Sequence, residues 1–437
     1  MSVEELTAGL SALSIAESKP NAFEPFLKDP AAFGEEEDAP IMLRAHRFLH
    51  AEKKKDNFES MYKRALEWCT SIGVTDADVA EARSLLEKQV KDFESDPDAK
   101  FEHIIYLDSV RALNSPERRK QLCHVLTTLR NGTLGKDYHQ GLSIICAFLM
   151  LFLEAPRVVA MIIKANTNPK YIPDVWKAES VMSAASGYTL HEILQADFAD
   201  LHKLLTSAGV IPELYASKFW CALGIHILPF QSLVLFFDDF WKSGNIAIYR
   251  LVLKLLLRRE ETIRAHPTVD KILEYVRLDP VSTTADEANK IVFNLSPEVV
   301  PENENPEGKT EPEPETEESK QKAKAEQAAY DEVIARVDNV LSSWQENDKL
   351  ATTRQRIIDV TLSKRIERAN QDLSTEVPNC ASDKPDCENR EATGFYYCLT
   401  CKKHMCEDCA YSAWDGHNDD DHEVRVNEEL TPEDLAQ

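Results

Sequence analysis

The sequence predicts an all-α protein with a small cysteine-rich module near its C-terminal end, and three observations carry that expectation. Apolar residues recur at helical spacing almost without a break from Pro40 to about Leu278. Only 13 of the 437 residues are glycine, roughly half the usual ~7%, so tight hairpins and phosphate-cradling loops are both scarce. Six of the ten cysteines fall between Cys380 and Cys409, while Cys69, Cys123, Cys146 and Cys221 are scattered in apolar surroundings.

The charge narrows the function classes. Fifty Lys and Arg against 75 Asp and Glu leave a formal charge of −25, the wrong sign for neutralising phosphates over a broad surface, so nucleic acid is not an expected partner. No Walker-type, dinucleotide-binding or nucleophile-elbow glycine motif occurs. The first residues lack a basic, then apolar, leader, and no stretch reaches the ~20 apolar residues of a membrane span. The nearest, Leu142 to Leu153, stops at Glu154, Pro156 and Arg157 and reads as a buried core helix. Cysteines used this way suit a reducing compartment, so a cytoplasmic protein is expected.

Along the chain, residues 1–38 read as a flexible acidic lead-in ending in Glu35-Glu36-Glu37-Asp38. A helical body follows over 39–295. Within it, Ser115-Pro116 is a helix start, Gly132 and Gly135 mark the stop, and Ala216–Ile227 and Ile246–Arg259 have the length of core helices. Residues 296–319 form a linker: its 301–319 part carries eight Glu, one Lys and four Pro with no aliphatic residue, a disordered hinge by composition. A fragment of 38–300 is accordingly expected to fold alone. Residues 320–376 return to helical spacing with Val333, Val337, Val340 and Leu341, as one long helix or a hairpin of two. The cysteine module fills 377–427, and an acidic tail covers 428–437.

Ligand candidates in that module come as four pairs: Cys380 and Cys387, Cys398 and Cys401, Cys406 and Cys409, His417 and His422. Eight such residues fill two tetrahedral sites, and zinc suits thiolate and imidazole. All positions being protein ligands, the two zinc ions would be structural. Only four residues separate the second and third pairs, which favours an interleaved arrangement of first with third and second with fourth. Asp383, Asp386 and His404 compete as ligands. The pattern resembles the B-box zinc fold over about 380–425, with a wider first pair. Ubiquitin ligation by analogy is weak, since no RING-like cysteine set precedes it.

Two polar segments interrupt the helical body. In Ile105-Tyr106-Leu107-Asp108-Ser109-Val110-Arg111, the residues Ile105, Asp108 and Arg111 fall in one sector of a helix, so Asp108 can orient Arg111. Further on, Tyr138-His139-Gln140-Gly141 opens the apolar run LSIICAFLMLFL, and Gln140 sits where a polar chain must project from a buried rod. An oriented guanidinium and a primary amide at helix ends can stabilise phosphoryl-transfer charge and place a water. Taken singly, each has an ordinary reading: a surface Arg, and a Gln that caps its own helix.

Together, I-x-x-D-x-x-R followed by Y-x-Q-G resembles the two fingerprints of the TBC domain, the catalytic module of Rab GTPase-activating proteins. Pro40-x-x-Leu43-Arg44 with Phe48, Phe219-Trp220, Leu228-Pro229 and Phe237-Asp238-x-Phe240-x-x-x-Gly244 continue the resemblance in order over about 38–280. It departs at Ala112-Leu113-Asn114, where the family has Thr-Phe-Pro, and at Asp137, where it has Gly. The resemblance implies a eukaryotic GTPase activator with no turnover of its own. Arg111 and Gln140 would enter a Rab GTPase in trans, held by Asp108 and Tyr138, and GTP and Mg²⁺ would belong to the partner. It further implies vesicle trafficking, with peripheral recruitment to endomembranes through the Rab and a protein partner for the zinc module. The rival expectation is a TBC-shaped scaffold that binds a Rab without catalysis.

Overall fold

The computed structural model describes residues 24–26, 55–92, 99–113, 116–132, 134, 137–171, 173–177, 181–295, 317–363, 381, 396–405 and 424–426. It divides the chain into two compact units at Thr361/Leu362. The first is helical, and among its described residues no helix is long and apolar enough to cross a membrane.

Its first half runs α1 (Lys55–Ile72), α2 (Asp76–Asp92), α3 (Ala99–Ala112), α4 (Pro116–Gly132), α5 (Gly141–Met150), α6 (Ala155–Thr167), α7 (Val181–Asp197) and α8 (Ala199–Ser207). The second half runs α9 (Glu213–Trp220), α10 (Phe230–Ser243), α11 (Ile246–Arg258), α12 (Glu260–Ala265), α13 (Val269–Val276), α14 (Ala285–Phe293), α15 (Glu317–Gln345) and α16 (Lys349–Arg356), with a π turn at Ile357–Thr361. Local chemistry sets several starts. Thr75 and Asp78 cap α2 reciprocally, the Thr75 amide donating to Asp78 Oδ2 at 2.7 Å and the Asp78 amide to Thr75 Oγ1 at 3.3 Å. Thr284 and Glu287 form the same box on α14, which ends at Asn294 in a left-handed conformation (φ 51°).

The core gathers around α5, nine of whose ten residues are buried. Phe148 packs against Phe152 at 5.4 Å and Phe237 at 4.8 Å between ring centres, and Trp68 from α1 meets Phe237 at 5.5 Å. Asp238 ties α10 to α1, accepting from Arg64 Nη2 at 2.6 Å and Trp68 Nε1 at 2.8 Å. Gly244 is required at the end of α10: its φ is +74°, and a Cβ there would lie 2.2 Å from the Lys170 carbonyl oxygen.

Two sequence expectations need correction. The apolar stretch Ala216–Ile227 is not one helix: α9 ends at Trp220, and turns follow to Leu228, with Leu223 and Gly224 at φ 47° and 66°. Buried Leu223, Ile225, Ile227 and Leu228 keep the stretch apolar, so it imitates a core helix. Residues 317–361 are likewise not a separate segment. Val337, Leu341 and Trp344 of α15 sit in the same core, Trp344 Nε1 donates to Asp197 Oδ2 at 2.7 Å, and Arg250 Nε donates to Asp338 at 2.7 Å. A body ending at residue 300 would therefore lose part of its own interior.

Other calls fall differently. Within the lead-in, Phe26 is fully buried and the Arg118 guanidinium lies 4.8 Å from its ring centre. Of the expected 296–319 linker, residues 296–316 lie outside the described residues and 317–319 instead open α15; the 428–437 tail, Pro40, Leu43, Arg44 and Phe48 also lie outside them. The second unit contributes a small antiparallel sheet of β1 (Tyr396–Cys398), β2 (Lys403–Met405) and β3 (Val424–Val426), ordered β2-β1-β3.

Candidate functional site

Arg111 lies in the last turn of α3, and its side chain is 67% exposed, whereas Asp108, one turn earlier, is 4% exposed. Their spacing puts both on one sector, and Arg111 Nη1 donates to Asp108 Oδ1 at 3.1 Å. The other carboxylate oxygen, Oδ2, accepts from the Tyr138 hydroxyl at 2.9 Å. Asp108 thus joins the two polar segments across 30 residues of chain. The exit of α3 is pinned as well, by a bond from Arg119 Nε to the Leu113 carbonyl.

The second segment is a short extended stretch running into α5. Asp137, where glycine was the family's usual residue, uses Oδ1 to accept the Tyr138 amide at 2.8 Å, which stiffens the approach. Tyr138 is buried. Gln140 is exposed and makes no side-chain bond to cap α5, while its carbonyl accepts from Ser143 N at 3.2 Å and Ser143 Oγ at 2.8 Å. The capping bond comes instead from His139, whose Nδ1 accepts the Gly141 amide at 3.0 Å. Gly141 cannot carry a side chain, because a Cβ would lie 2.3 Å from the Cys221 carbonyl oxygen in the turn after α9.

Burial dominates the electrostatics. It raises the Asp108 carboxyl above its ordinary value, opposed by the Tyr138 bond and by Arg111. Burial and the neighbouring Asp108 push Tyr138 well above the usual phenol range, so it remains a neutral donor. Burial lowers His139, opposed by Asp137. The outcome is a buried, hydrogen-bonded carboxylate and phenol with a cation and a primary amide exposed at the two ends, arranged to supply donors to an anionic group from another molecule.

All four predicted site residues are thus present, and hydrogen bonds link Arg111, Asp108 and Tyr138. Residues 62–263 match the family model of the Rab-GTPase-TBC domain. Over that stretch the chain is similar to the TBC domain. The matched range includes Asp108, Arg111, Tyr138 and Gln140, whereas α14, α15 and α16 lie beyond it. Among similar proteins, "Growth hormone-regulated TBC protein 1" of Homo sapiens is 23% identical over 164 residues, covering 38% of this chain and 48% of that protein. "TBC1 domain family member 4" of Mus musculus is 23% identical over 162 residues, covering 36% and 12%. The chain spans about half the length of the first of these. A crystal structure of the Chlamydomonas flagellar RabGAP TBC domain aligns at 17% identity with a TM-score of 0.43, covering 55% of this chain and 85% of that one.

The sequence pattern did not disclose the part of His139, which occupies the open position of Y-x-Q-G. Its signal was a ring nitrogen two residues before the first amide of an apolar helix. The later matches proved to be braces: Trp220 Nε1 donates to Asn245 Oδ1 at 2.9 Å, and Asp238 holds α1.

Of the eight metal-ligand candidates, Cys398 and Cys401 are described, at the end of β1 and in the turn to β2. The Cys401 amide donates to Cys398 Sγ at 3.3 Å, and Lys402, at φ 56°, donates its amide to the Cys398 carbonyl at 2.8 Å. The Ala381 amide donates to the His404 carbonyl at 2.8 Å, and the His404 ring lies 4.7 Å from that of Tyr397. Cys380, Cys387, Cys406, Cys409, His417, His422, Asp383 and Asp386 lie outside the described residues. Among the described residues no group of three or more His, Cys, Asp or Glu gathers for a metal.

Proposed function

We propose that this protein accelerates GTP hydrolysis by a Rab-family GTPase and so regulates vesicle trafficking. The observation that carries the reading is the hydrogen-bond chain Arg111–Asp108–Tyr138, with exposed Arg111 at one end and exposed Gln140 two residues beyond the other. Arg111 enters the GTPase active site in trans and neutralises charge developing on the β- and γ-phosphates. Gln140 positions the attacking water, a task GTPases ordinarily give their own Gln. Asp108 restrains the Arg111 fork, and Tyr138 fixes both Asp108 and the segment leading to Gln140. Mg²⁺ and GTP are brought by the GTPase, which also brings this otherwise nucleotide-free protein to its membrane. The test is single-turnover hydrolysis across a panel of GTP-loaded Rab proteins. Stimulation by the wild type that vanishes in Arg111→Ala supports the reading, and binding with equal hydrolysis by both leaves a scaffold.

The C-terminal module we read as a structural double-zinc unit that recruits a protein partner. Cys380, Cys387, Cys406 and Cys409 would hold one ion and Cys398, Cys401, His417 and His422 the other. Support comes from the Cys398–Cys401 turn, whose amide-to-sulfur bond suits a metal-bound thiolate.

A further inference from the structure

A helix start leaves amides without intrahelical partners, and something must accept them. At α5 that acceptor is an imidazole nitrogen, not the side chain of the residue that precedes the helix. His139 Nδ1 takes the Gly141 amide at 3.0 Å, and the His139 carbonyl takes the Leu142 amide at 3.0 Å. Gln140 lies between these two bonds. Its carbonyl is taken by Ser143 and its side chain is left exposed, with no capping bond. We propose that His139 is a positioning residue for Gln140, its neutral imidazole capping α5 so that the Gln140 amide is available to a bound GTPase, and that protonation of Nδ1 releases this turn. The proposal rests on the GTPase-activating reading of the site.

The chemistry is direct. An imidazolium has two N–H donors and no lone pair, so it cannot accept the Gly141 amide, and a positive charge is disfavoured at a helix N-terminus. Burial already holds His139 below its usual value, with the Asp137 carboxylate opposing. Asp108 on α3 is bonded to Arg111 and Tyr138, Arg130 on α4 to Asn131, and Arg157 on α6 to Glu154, while α9 and the turn after it, which presses on Gly141, carry Lys218 and His226. A folded-state value below the unfolded one means that the cap is intact at neutral pH and is lost as pH falls through the folded value. Gly141 gives the turn little slack, since it is pressed against the Cys221 carbonyl.

The test has two arms on the full-length protein. In the first, stimulated hydrolysis by a responsive Rab is measured from pH 7.5 to 5.5 for wild type, His139→Asn, whose Oδ1 replaces Nδ1 as acceptor without titrating, and His139→Leu. The ratio of each variant to wild type at each pH cancels the GTPase's own dependence. The expectation is that His139→Asn matches wild type at pH 7.5 and exceeds it once pH falls through the folded His139 value, while His139→Leu is slower by about three- to tenfold at neutral pH, the usual cost of a lost cap. In the second, selective ¹⁵N-glycine labelling follows the Gly141 amide among thirteen glycines without any GTPase present. Its resonance should titrate with His139 in wild type and stay fixed in His139→Asn. A Gly141 resonance indifferent to pH, or parallel pH profiles for wild type and His139→Asn, overturns the proposal. A wild type that stimulates no Rab overturns the GTPase-activating reading instead, and the glycine resonance still decides whether His139 holds the turn.

Discussion

At the scale of single residues, the candidate site couples an exposed cation to a buried carboxylate. Arg111→Ala removes the fork, and Arg111→Lys replaces five planar donors by a point charge that cannot span two phosphate oxygens. Both are expected to lose most of an acceleration that an arginine finger brings to about 10³–10⁵, measured as single-turnover rates at saturating activator. Tyr138→Phe tests the link between the segments: it removes one bond from Asp108 Oδ2 while leaving the ring, so binding of GTP-loaded Rab should persist with a reduced hydrolysis rate. An unchanged rate would show that Asp108 orients Arg111 unaided. The first of these couplings was legible in the sequence, because Asp108 and Arg111 lie three apart on one helix and helical geometry alone joins them. The second was not, because Tyr138 reaches Asp108 only through the packing of α3 against α5. His139 was hidden for a similar reason: its meaning depends on which nitrogen faces which amide.

At the scale of elements, caps and docked helices decide stability. The Asp78 carboxylate is held down to about 2 by the Thr75 hydroxyl and amide, with Lys164 adding to them. A depressed value stabilises the fold above the unfolded carboxylate value of about 3.9 and ceases to as pH falls through the folded one. Asp78→Asn should therefore lower the urea midpoint at pH 7, and the gap to wild type should narrow as pH falls below about 4. The docked helix makes a larger difference. Fragments ending at residue 300 lose Val337, Leu341 and Trp344 from the core, on the order of 5 kcal/mol of apolar burial, comparable with a domain's whole margin. The 1–361 fragment should melt as the full helical unit does, whereas 1–300 should melt lower or aggregate, as followed by circular dichroism. The acidic segment before α15 misled the sequence reading. A Pro and Glu run looks like a domain boundary, and nothing in its composition says that the chain returns to the same core beyond it.

At the scale of the whole molecule, two units of very different self-sufficiency share one chain. The helical unit has a continuous aliphatic and aromatic interior, legible in advance because apolar periodicity is a local signal that a large core only amplifies. Among its described residues the second unit has three strands of three residues, and the buried apolar side chains are Leu362, Tyr397, Cys398 and Met405. That is too little to offset the ordering of some forty residues at about 1–2 kcal/mol each, so under the zinc reading the metal supplies the balance. The protein is expected to carry two zinc ions per chain by elemental analysis. Chelation should abolish the near-ultraviolet signal of the C-terminal unit and leave the helical far-ultraviolet signal and the stimulation of hydrolysis by the Rab in place. Cys401→Ser should have a wider effect than a single lost ligand, because under the proposed interleaved pairing it would share an ion with Cys398, His417 and His422. One zinc per chain would reject the eight-ligand assignment. Hydrolysis lost together with the metal would mean that the cysteine module acts on the fingers, and that recruitment is not its sole task.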